Sequence, residues 1–398
     1  MDAADTAWVA FGCGRLQIHN YGSLGDASLD DFAWTCGSSP GDQPIYSGSF
    51  ILAADSNESG VVFRASLYGY KLFVPNLVPF AGRCGFDKWV DVPLGEIRTQ
   101  GCPGQPLPIT GEIVVASYSD TLVDTSSSLP PAAGVTVTQT VVSSAAAPYG
   151  DFVLFRWELE NRDDWPKGPW HAGTYCDWDI AGGANTGRYS DACNGYFVWD
   201  TQSPGTACGM LDPDQPSRYA GSDPTGNPAY RIAVWDLLSC CQWDYCPCIT
   251  WVNSVGMAYF WWKTVREQPT RSADFMSDPS GALINPPFTL PPHGMAAIHQ
   301  AMFFVDGTSN NPATIEANAM AVAQRAARWA GFARGDVNDD GIVDLADVCW
   351  LDAGLPIYPG SYCADVNVDG EVNAADIACL MAYVSGMGPA PQGNWRFV

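Results

Sequence analysis

A twelve-residue phrase occurs twice near the C-terminal end of this 398-residue sequence. "DVNDDGIVDLAD" covers Asp336 to Asp347, and "DVNVDGEVNAAD" covers Asp365 to Asp376, so the second copy starts 29 residues after the first. Both copies place Asp or Asn at positions 1, 3, 5, 9 and 12 and glycine at position 6. A phrase repeated in this way favours two copies of one local structure.

Oxygen-bearing side chains at this spacing are the ligands of a calcium loop. Gly341 and Gly370 allow the sharp turn that points the carbonyl of position 7 inward, and position 9 commonly acts through a water. Because hard oxygen ligands select Ca²⁺ over metals that prefer His or Cys, we predict two calcium ions. The predicted ligands are Asp336, Asn338, Asp340, the Ile342 carbonyl, Asp344, Asp347, Asp365, Asn367, Asp369, the Glu371 carbonyl, Asn373 and Asp376.

A helix-like segment follows each loop, "LADVCWLDAGL" after the first and "AADIACLMAYVSGM" after the second. With this spacing, and with Asp rather than Glu at position 12, residues 334–388 resemble the dockerin family, whose duplicated loop-helix modules bind calcium and dock onto a β-sandwich cohesin. Positions 10 and 11, often a Ser/Thr pair in that family, are Leu345-Ala346 and Ala374-Ala375 here. The resemblance therefore implies a small α-helical module with an apolar docking face. The alternative is a calcium-stabilised cap that folds back on its own chain.

Short strand-like segments recur from about residue 8 to residue 305, separated by Gly, Pro, Asn and Asp. In "FVLFRWELE", apolar and charged side chains alternate, as in an antiparallel strand buried on one face. The apolar set is Val153, Phe155, Trp157 and Leu159, and the charged set is Arg156, Glu158 and Glu160. We predict a mainly β fold whose large antiparallel, β-sandwich-like body covers residues 1–310.

Three further segments complete the predicted organisation. Residues 311–333 contain one helix, which Asn311 can cap and which we interpret as a semi-rigid connection to the module. The module covers residues 334–388, and residues 389–398 form a C-terminal tail that can add as a strand to the sheet edge of another subunit.

The 14 cysteines predict an oxidising, extracellular environment and a disulfide-braced body. We expect a secreted or cell-surface chain whose leader is not part of this sequence, because its first residues lack the pattern of a signal peptide. Both the body and the module hold an odd number of cysteines, so complete oxidation requires at least one bridge between them. The body cysteines are Cys13, Cys36, Cys84, Cys102, Cys176, Cys193, Cys208, Cys240, Cys241, Cys246 and Cys248, and the module cysteines are Cys349, Cys363 and Cys379. A cytosolic protein with reduced or zinc-bound thiols, for example in "CCQWDYCPC", is the alternative.

The net charge of −24 argues against a nucleic-acid partner, which would require clustered Lys and Arg. Cations are the expected partners, and further calcium ions in loops of the body remain an alternative. The sequence contains no run of about 18 apolar residues, so we expect no membrane span.

Motifs of catalysis are absent: the sequence has no G-x-S-x-G, no H-E-x-x-H, no phosphate loop and no dinucleotide fingerprint. The four histidines are His19, His171, His293 and His299.

Two carboxylate pairs, Glu158 with Glu160 and Asp177 with Asp179, have a separation that glycoside hydrolysis can use, but a solvated strand face is the simpler interpretation. The sequence has 16 tryptophans, and flat aromatic rings such as those in "MAYFWWKTV" and "CQWDYC" favour a glycan-binding role. Most Trp residues of a β body, however, are core residues. We expect a protein that is not an enzyme.

The stretch from "VTVTQTVV" to "GYFVWDT" also loosely resembles uncharacterised β-rich regions of secreted environmental-bacterial proteins, a likeness that implies no activity. The sequence thus predicts a secreted calcium-binding structural protein. We expect its module to bind other copies of the chain, giving a filament or surface layer, or a cohesin-like β-sandwich. The alternative is a dockerin-bearing carbohydrate-active protein, either a glycan-binding module or a glycoside hydrolase, delivered to a scaffold.

Overall fold

A computed structural model provides the structure of the chain. The residues that it describes are 6–12, 14–24, 45–56, 60–65, 78–79, 87–97, 107–119, 134–145, 149–178, 185–190, 195–200, 206–212, 231–236, 270–271, 273–276, 279–285, 288–306, 311–327, 335, 337, 343–353, 366–367 and 373–388.

Strands dominate these residues, and helices occur only towards the C-terminal end of the described ranges. The strands are β1 (Thr6–Phe11), β2 (Gly14–His19), β3 (Ser23–Leu24), β4 (Ile45–Ser56), β5 (Gly60–Ala65), β6 (Val78–Pro79), β7 (Asp87–Ile97), β8 (Leu107–Ser119), β9 (Val135–Ser143), β10 (Phe152–Asn161), β11 (Lys167–Trp178), β12 (Asn185–Ser190), β13 (Gly195–Asp200), β14 (Thr206–Leu211), β15 (Arg231–Asp236), β16 (Thr270–Arg271), β17 (Ala273–Met276), β18 (Pro279–Ile284), β19 (Phe288–Leu290) and β20 (Met295–Asp306). The helices are α1 (Pro312–Ala327), α2 (Leu345–Asp352) and α3 (Ala374–Val384).

The described strands form two sheets of ten strands each. The first sheet has the order β1-β2-β3-β4-β11-β18-β15-β16, with β5 paired to β4 and β19 paired to β11. The second sheet has the order β17-β12-β13-β14-β20-β10-β9-β8-β6, with β7 paired to β8. Neighbouring strands are antiparallel except for the parallel pair of β15 and β16. The predicted mainly β fold with antiparallel sheets is confirmed.

Side chains from both sheets share one apolar core, to which β10 contributes the four apolar residues predicted from its alternation. At its centre, the fully buried Trp157 stacks on Phe50 of the first sheet, with ring centroids 5.2 Å apart. The Trp157 Nε1–H donates to Gln139 Oε1 at 2.9 Å, and the Tyr118 hydroxyl donates to the same oxygen at 3.1 Å. Burial raises the pKa of Tyr118 well above its usual value, so this hydroxyl stays a neutral donor.

A chain of buried polar side chains also connects the sheets. Thr174 on β11 donates to Gln300 Oε1 on β20 at 2.6 Å, and Gln300 Nε2 donates to Asn285 Oδ1 at 2.8 Å. Asn285, directly after β18, donates to Asp212 Oδ2, directly after β14, at 2.7 Å. Because buried polar groups need partners, this chain of hydrogen bonds fixes one lateral alignment of the two sheets.

Helix α1 packs on the outer face of the second sheet and does not stand apart as a spacer. Asn311 caps it as predicted, since its Oδ1 accepts from the Ala313 N–H at 3.0 Å. The Arg325 guanidinium forms an ion pair with Asp151. The described part of this helix is therefore packed on the body, because its apolar side chains are buried against the sheet, and its role as a connection to the module stays a prediction. The buried stripe consists of Ile315, Ala319, Val322, Ala323 and Ala326.

The structure describes four of the 14 cysteines, so the prediction of a disulfide-braced body stays a prediction. None of Cys176, Cys208, Cys349 and Cys379 is in a disulfide. Cys176 and Cys208 belong to the core between the sheets, where a thiol packs as a small apolar group. Cys349 and Cys379 are exposed on α2 and α3. The other ten cysteines, including those of "CCQWDYCPC", lie outside the described residues.

Thiol labelling of the native protein is expected to separate these four cysteines into two classes. Cys349 and Cys379 should react with iodoacetamide at pH 8, whereas Cys176 and Cys208 should react only after unfolding. Burial raises the pKa of Cys208 well above its usual value, which lowers the fraction of reactive thiolate further. Peptide mass spectrometry before and after denaturation measures the difference, and rapid native labelling of Cys208 would contradict the structure.

Candidate calcium-binding loops

Each of the two C-terminal helices begins with the same arrangement of hydrogen bonds. Asp344 is the N-cap of α2 and accepts from the Ala346 N–H at 2.6 Å, while Asn373 is the N-cap of α3 and accepts from the Ala375 N–H at 2.8 Å. The third helical residue, Asp347 or Asp376, accepts in return from the N-cap N–H at 2.8 Å. These reciprocal bonds form a capping box at loop positions 9 and 12.

The second oxygen of each position-12 carboxylate binds the beginning of its own loop. Asp347 Oδ1 accepts from the Val337 N–H at 2.7 Å, and Asp376 Oδ1 accepts from the Val366 N–H at 2.7 Å. Asp376 Oδ1 also accepts from the Asn367 N–H at 3.1 Å. Position 12 therefore connects position 2 of the loop to the helix that follows it, in the same way in both copies.

Both carboxylates are fully buried. Removing a carboxylate from water is costly, and these N–H donors offset part of that cost. A carboxylate has about four lone-pair sites, so an oxygen that accepts an N–H can also face a cation. The donor set of carboxylate and amide oxygens fits Ca²⁺, which would be held by the twelve predicted ligands.

Five of the predicted ligands lie in the described residues: Asp344, Asp347, Asn367, Asn373 and Asp376. The structure brings positions 9 and 12 of each loop together with its position 2. The other seven, Asp336, Asn338, Asp340, Ile342, Asp365, Asp369 and Glu371, lie outside the described residues. Within the described ranges, no group of three or more His, Cys, Asp or Glu side chains is placed to hold a metal ion.

A small apolar core joins the two loop-helix units. Its buried members come from position 2 of each loop and from both helices, and they are Val337, Val348, Leu351, Val366 and Leu380. Val343, Ile377 and Val384 are partly buried against them. Because each unit buries its apolar side chains against the other, the two candidate sites belong to one structural unit, the loop-helix module.

Several large apolar residues on and just after α2 and α3 are exposed. Leu345 and Trp350 on α2, Met381 on α3 and Met387 just after α3 all face solvent. The alanines at positions 10 and 11, Ala346, Ala374 and Ala375, are exposed as well. Exposed apolar residues concentrated on so small a unit are typical of a contact surface.

The other candidate sites of the sequence give no catalytic arrangement in the described residues. Glu158 forms an ion pair with Arg156 at 2.7 Å, and Glu160 with Arg162 at 3.0 Å, as on a solvated strand face. His19 binds the Tyr21 hydroxyl at 2.9 Å within the body, and His293 contacts Asp164 on the surface.

The remaining candidates are placed as follows. His171 and His299 are buried on different sheets. The Asp177 side chain, Asp179, "MAYFWWKTV" and "CQWDYC" lie outside the described residues.

Two roles in the module were not recognised from the sequence. The loop pattern predicts only calcium ligands at positions 9 and 12, yet these residues also form the capping box. The sequence signal of that box is Asp or Asn followed three residues later by Asp, and both sites have it. The binding of position 12 to the N–H of position 2 has no sequence signal, because that contact depends on the closed loop.

Comparison with known proteins gives only a weak structural likeness. No family model matches the chain, and no curated protein matches it. Among solved structures, a protein of Escherichia coli K12, provisionally described as an aldose 1-epimerase, is 8% identical, with 76% of this chain and 100% of that chain covered and a TM-score of 0.35. A TM-score this low does not establish a shared fold, so no activity is inferred from it. None of the described helices is long and apolar enough to span a membrane.

Proposed function

We propose that this chain is a secreted, calcium-binding structural protein, not an enzyme, that assembles with other copies of itself through its loop-helix module. The observation that carries the proposal is the repeated arrangement in which a buried Asp connects each loop to its helix, beside helices with exposed apolar residues. The assembled form is an extracellular filament or surface layer.

Calcium has a structural role in this proposal. The first loop alone has four carboxylates at ligand positions, Asp336, Asp340, Asp344 and Asp347. Their mutual repulsion opposes closure of the loop unless a divalent cation neutralises them. Extracellular calcium is abundant enough to occupy sites of moderate affinity, and binding to the folded module stabilises it. The bound ions would hold α2 and α3 in the orientation that presents Leu345, Trp350 and Met381.

The body of a second copy is the proposed partner. The dockerin resemblance implies a β-sandwich partner, and the chain supplies a large body of two antiparallel sheets itself. A contact between the module of one copy and the body of the next is heterologous, and heterologous contacts that do not close into a ring propagate as filaments. The tail at residues 389–398, which lies outside the described residues, is proposed to add as a strand to a neighbouring sheet.

Calcium removal is expected to disassemble the purified protein. Negative-stain electron microscopy and light scattering should show ordered polymers in millimolar calcium and monomers in EGTA, with recovery when calcium is restored. A chain that is monomeric at every calcium concentration would contradict self-assembly. If such a monomer bound a foreign β-sandwich protein, the cohesin-like partner would replace the second copy.

The double variant Leu345→Glu, Met381→Glu tests the apolar surface separately from calcium binding. We expect it to lose assembly in calcium, because two charges would have to be buried in the contact. The stabilisation of its thermal unfolding by calcium should persist, since neither side chain is a predicted ligand. Met320→Glu, at an exposed apolar position of α1, is the matched control and should assemble normally. Equal assembly of both variants would contradict the assignment of this surface.

A further inference from the structure

Two surface turns contact each other: residues 161–166, at the end of β10, and residues 291–294, directly before β20. We refer to these two turns together as the double turn. The fully buried Asn161 holds them together, because its Nδ2 donates to the Trp165 carbonyl at 2.8 Å and to the Pro291 carbonyl at 2.9 Å. Its Oδ1 accepts from the Asp163 N–H at 3.0 Å. A single amide thus fixes the backbone of both turns.

Backbone hydrogen bonds between the turns add to this rigidity. The Asn161 N–H donates to the Gly294 carbonyl at 3.0 Å, and the His293 N–H donates to the Asp163 carbonyl at 3.3 Å. Within the second turn, the Gly294 N–H donates to the Pro291 carbonyl at 2.9 Å. Side chains on the double turn therefore keep a defined position although they lie at the surface.

His293 adopts a strained backbone conformation, with a φ of 51° that favours glycine. Its Nε2 lies 2.9 Å from Asp164 Oδ1, so the strained turn places the imidazole against the carboxylate. The Asp164 side chain is 88% exposed, and a pair so open to solvent adds little to stability. The ion pair thus gives little reason for the strained backbone, and strain that stability does not explain is a reason to look for a binding role.

Trp165, next to Asp164, is 61% exposed on this rigid turn. Tryptophan has a large apolar face and loses little conformational freedom when it binds, particularly where its backbone is already fixed. The double turn thus carries an exposed aromatic ring at the residue after Asp164, whose carboxylate accepts hydrogen bonds and contacts an imidazole that can donate one.

We propose that the double turn is a carbohydrate-binding site, in which a pyranose ring stacks on Trp165 and its hydroxyls bind Asp164 and His293. A pyranose has an apolar C–H face and an edge of hydroxyl groups, so it matches an aromatic ring with polar groups alongside. The Asp164 carboxylate and the net charge of −24 disfavour anionic ligands, so the ligand class is a neutral polysaccharide. This site is separate from the loop-helix module and does not depend on assembly.

Retention of the full chain on insoluble polysaccharides tests the proposal, with cellulose, chitin and xylan as probes in calcium buffer. We expect at least one to retain the wild-type protein, and Trp165→Ala to weaken that retention by about tenfold or more, as expected for the loss of an aromatic stacking partner. Trp89→Ala is the matched control, since Trp89 is also exposed, at 39%, but lies on β7 away from the turns, and it should bind normally.

His293→Gly separates binding from structure at the same site. Glycine relieves the backbone strain and removes the imidazole, so this variant should unfold at a higher temperature than the wild type yet bind polysaccharide more weakly. Higher stability with unchanged binding would remove His293 from the site. Failure of all three probes to retain the wild type, or equal retention of Trp165→Ala, would overturn the proposal. The proposal would also be overturned if Trp165→Ala lost assembly but was still retained by the polysaccharide.

Discussion

Asp376→Asn is expected to open the second loop and to weaken its calcium binding by about 100-fold or more, the equivalent of about 3 kcal/mol. The carboxylate accepts from the N–H groups of Val366, Asn367 and Asn373, and an amide can satisfy only one side of this arrangement. The new NH₂ group would face N–H donors in a site without access to water. Charge-assisted hydrogen bonds and one ligand charge would be lost together.

Hydrogen exchange and calcium titration calorimetry measure this result. The amides of Val366 and Asn373 should lose protection in Asp376→Asn, whereas those of Val337 and Asp344 in the first loop should be affected less. Asp347→Asn should give the reciprocal pattern. Asp352→Asn is the matched control, because Asp352 is exposed on α2 and is not a predicted ligand. Unchanged protection and unchanged calcium affinity in both loop variants would contradict the role of position 12.

Trp157→Ala is expected to destabilise the body by about 3–5 kcal/mol, the range typical of a large aromatic removed from a packed core. Trp157 is fully buried, stacks on Phe50 and on Phe155 with centroid distances of 5.2 Å, and donates a hydrogen bond to Gln139. The substitution therefore removes contacts within one sheet and across the core. Because domains are stable by about 5–15 kcal/mol, a loss of this size is a large fraction of the total.

Denaturant unfolding followed by circular dichroism provides the measurement. Trp157→Phe should lie between the wild type and Trp157→Ala, because it keeps an aromatic ring but loses the hydrogen bond. Trp165→Ala, at an exposed site, should change stability by less than about 0.5 kcal/mol. A Trp157→Ala variant as stable as Trp165→Ala would mean that this tryptophan is not part of the core.

Much of the body could be predicted from local pattern. The alternation in β10 identified the four side chains that its strand contributes to the core, because successive strand residues point to opposite faces. The same alternation placed Glu158 and Glu160 on the other face, where each forms an ion pair with an arginine. Pairing between distant strands could not be predicted in this way. β4 pairs with β11 and β14 pairs with β20, and nothing in either strand alone specifies its partner.

The sequence by itself determined the elements and the duplicated loop phrase, because both follow from residue types at short, regular spacings. Tertiary structure decided how those elements are used. The apolar stripe of α1 suited either a connecting or a packed helix, and the free face of the second sheet made it a packed one. The Asp at position 12 closes each loop because the folded chain brings the N–H of position 2 within hydrogen-bonding distance. That residue is Val337 in the first loop and Val366 in the second. Trp165 is exposed because Asn161 fixes a turn against residues about 130 positions away in the chain. Contacts of that separation depend on the complete fold, and no local pattern encodes them.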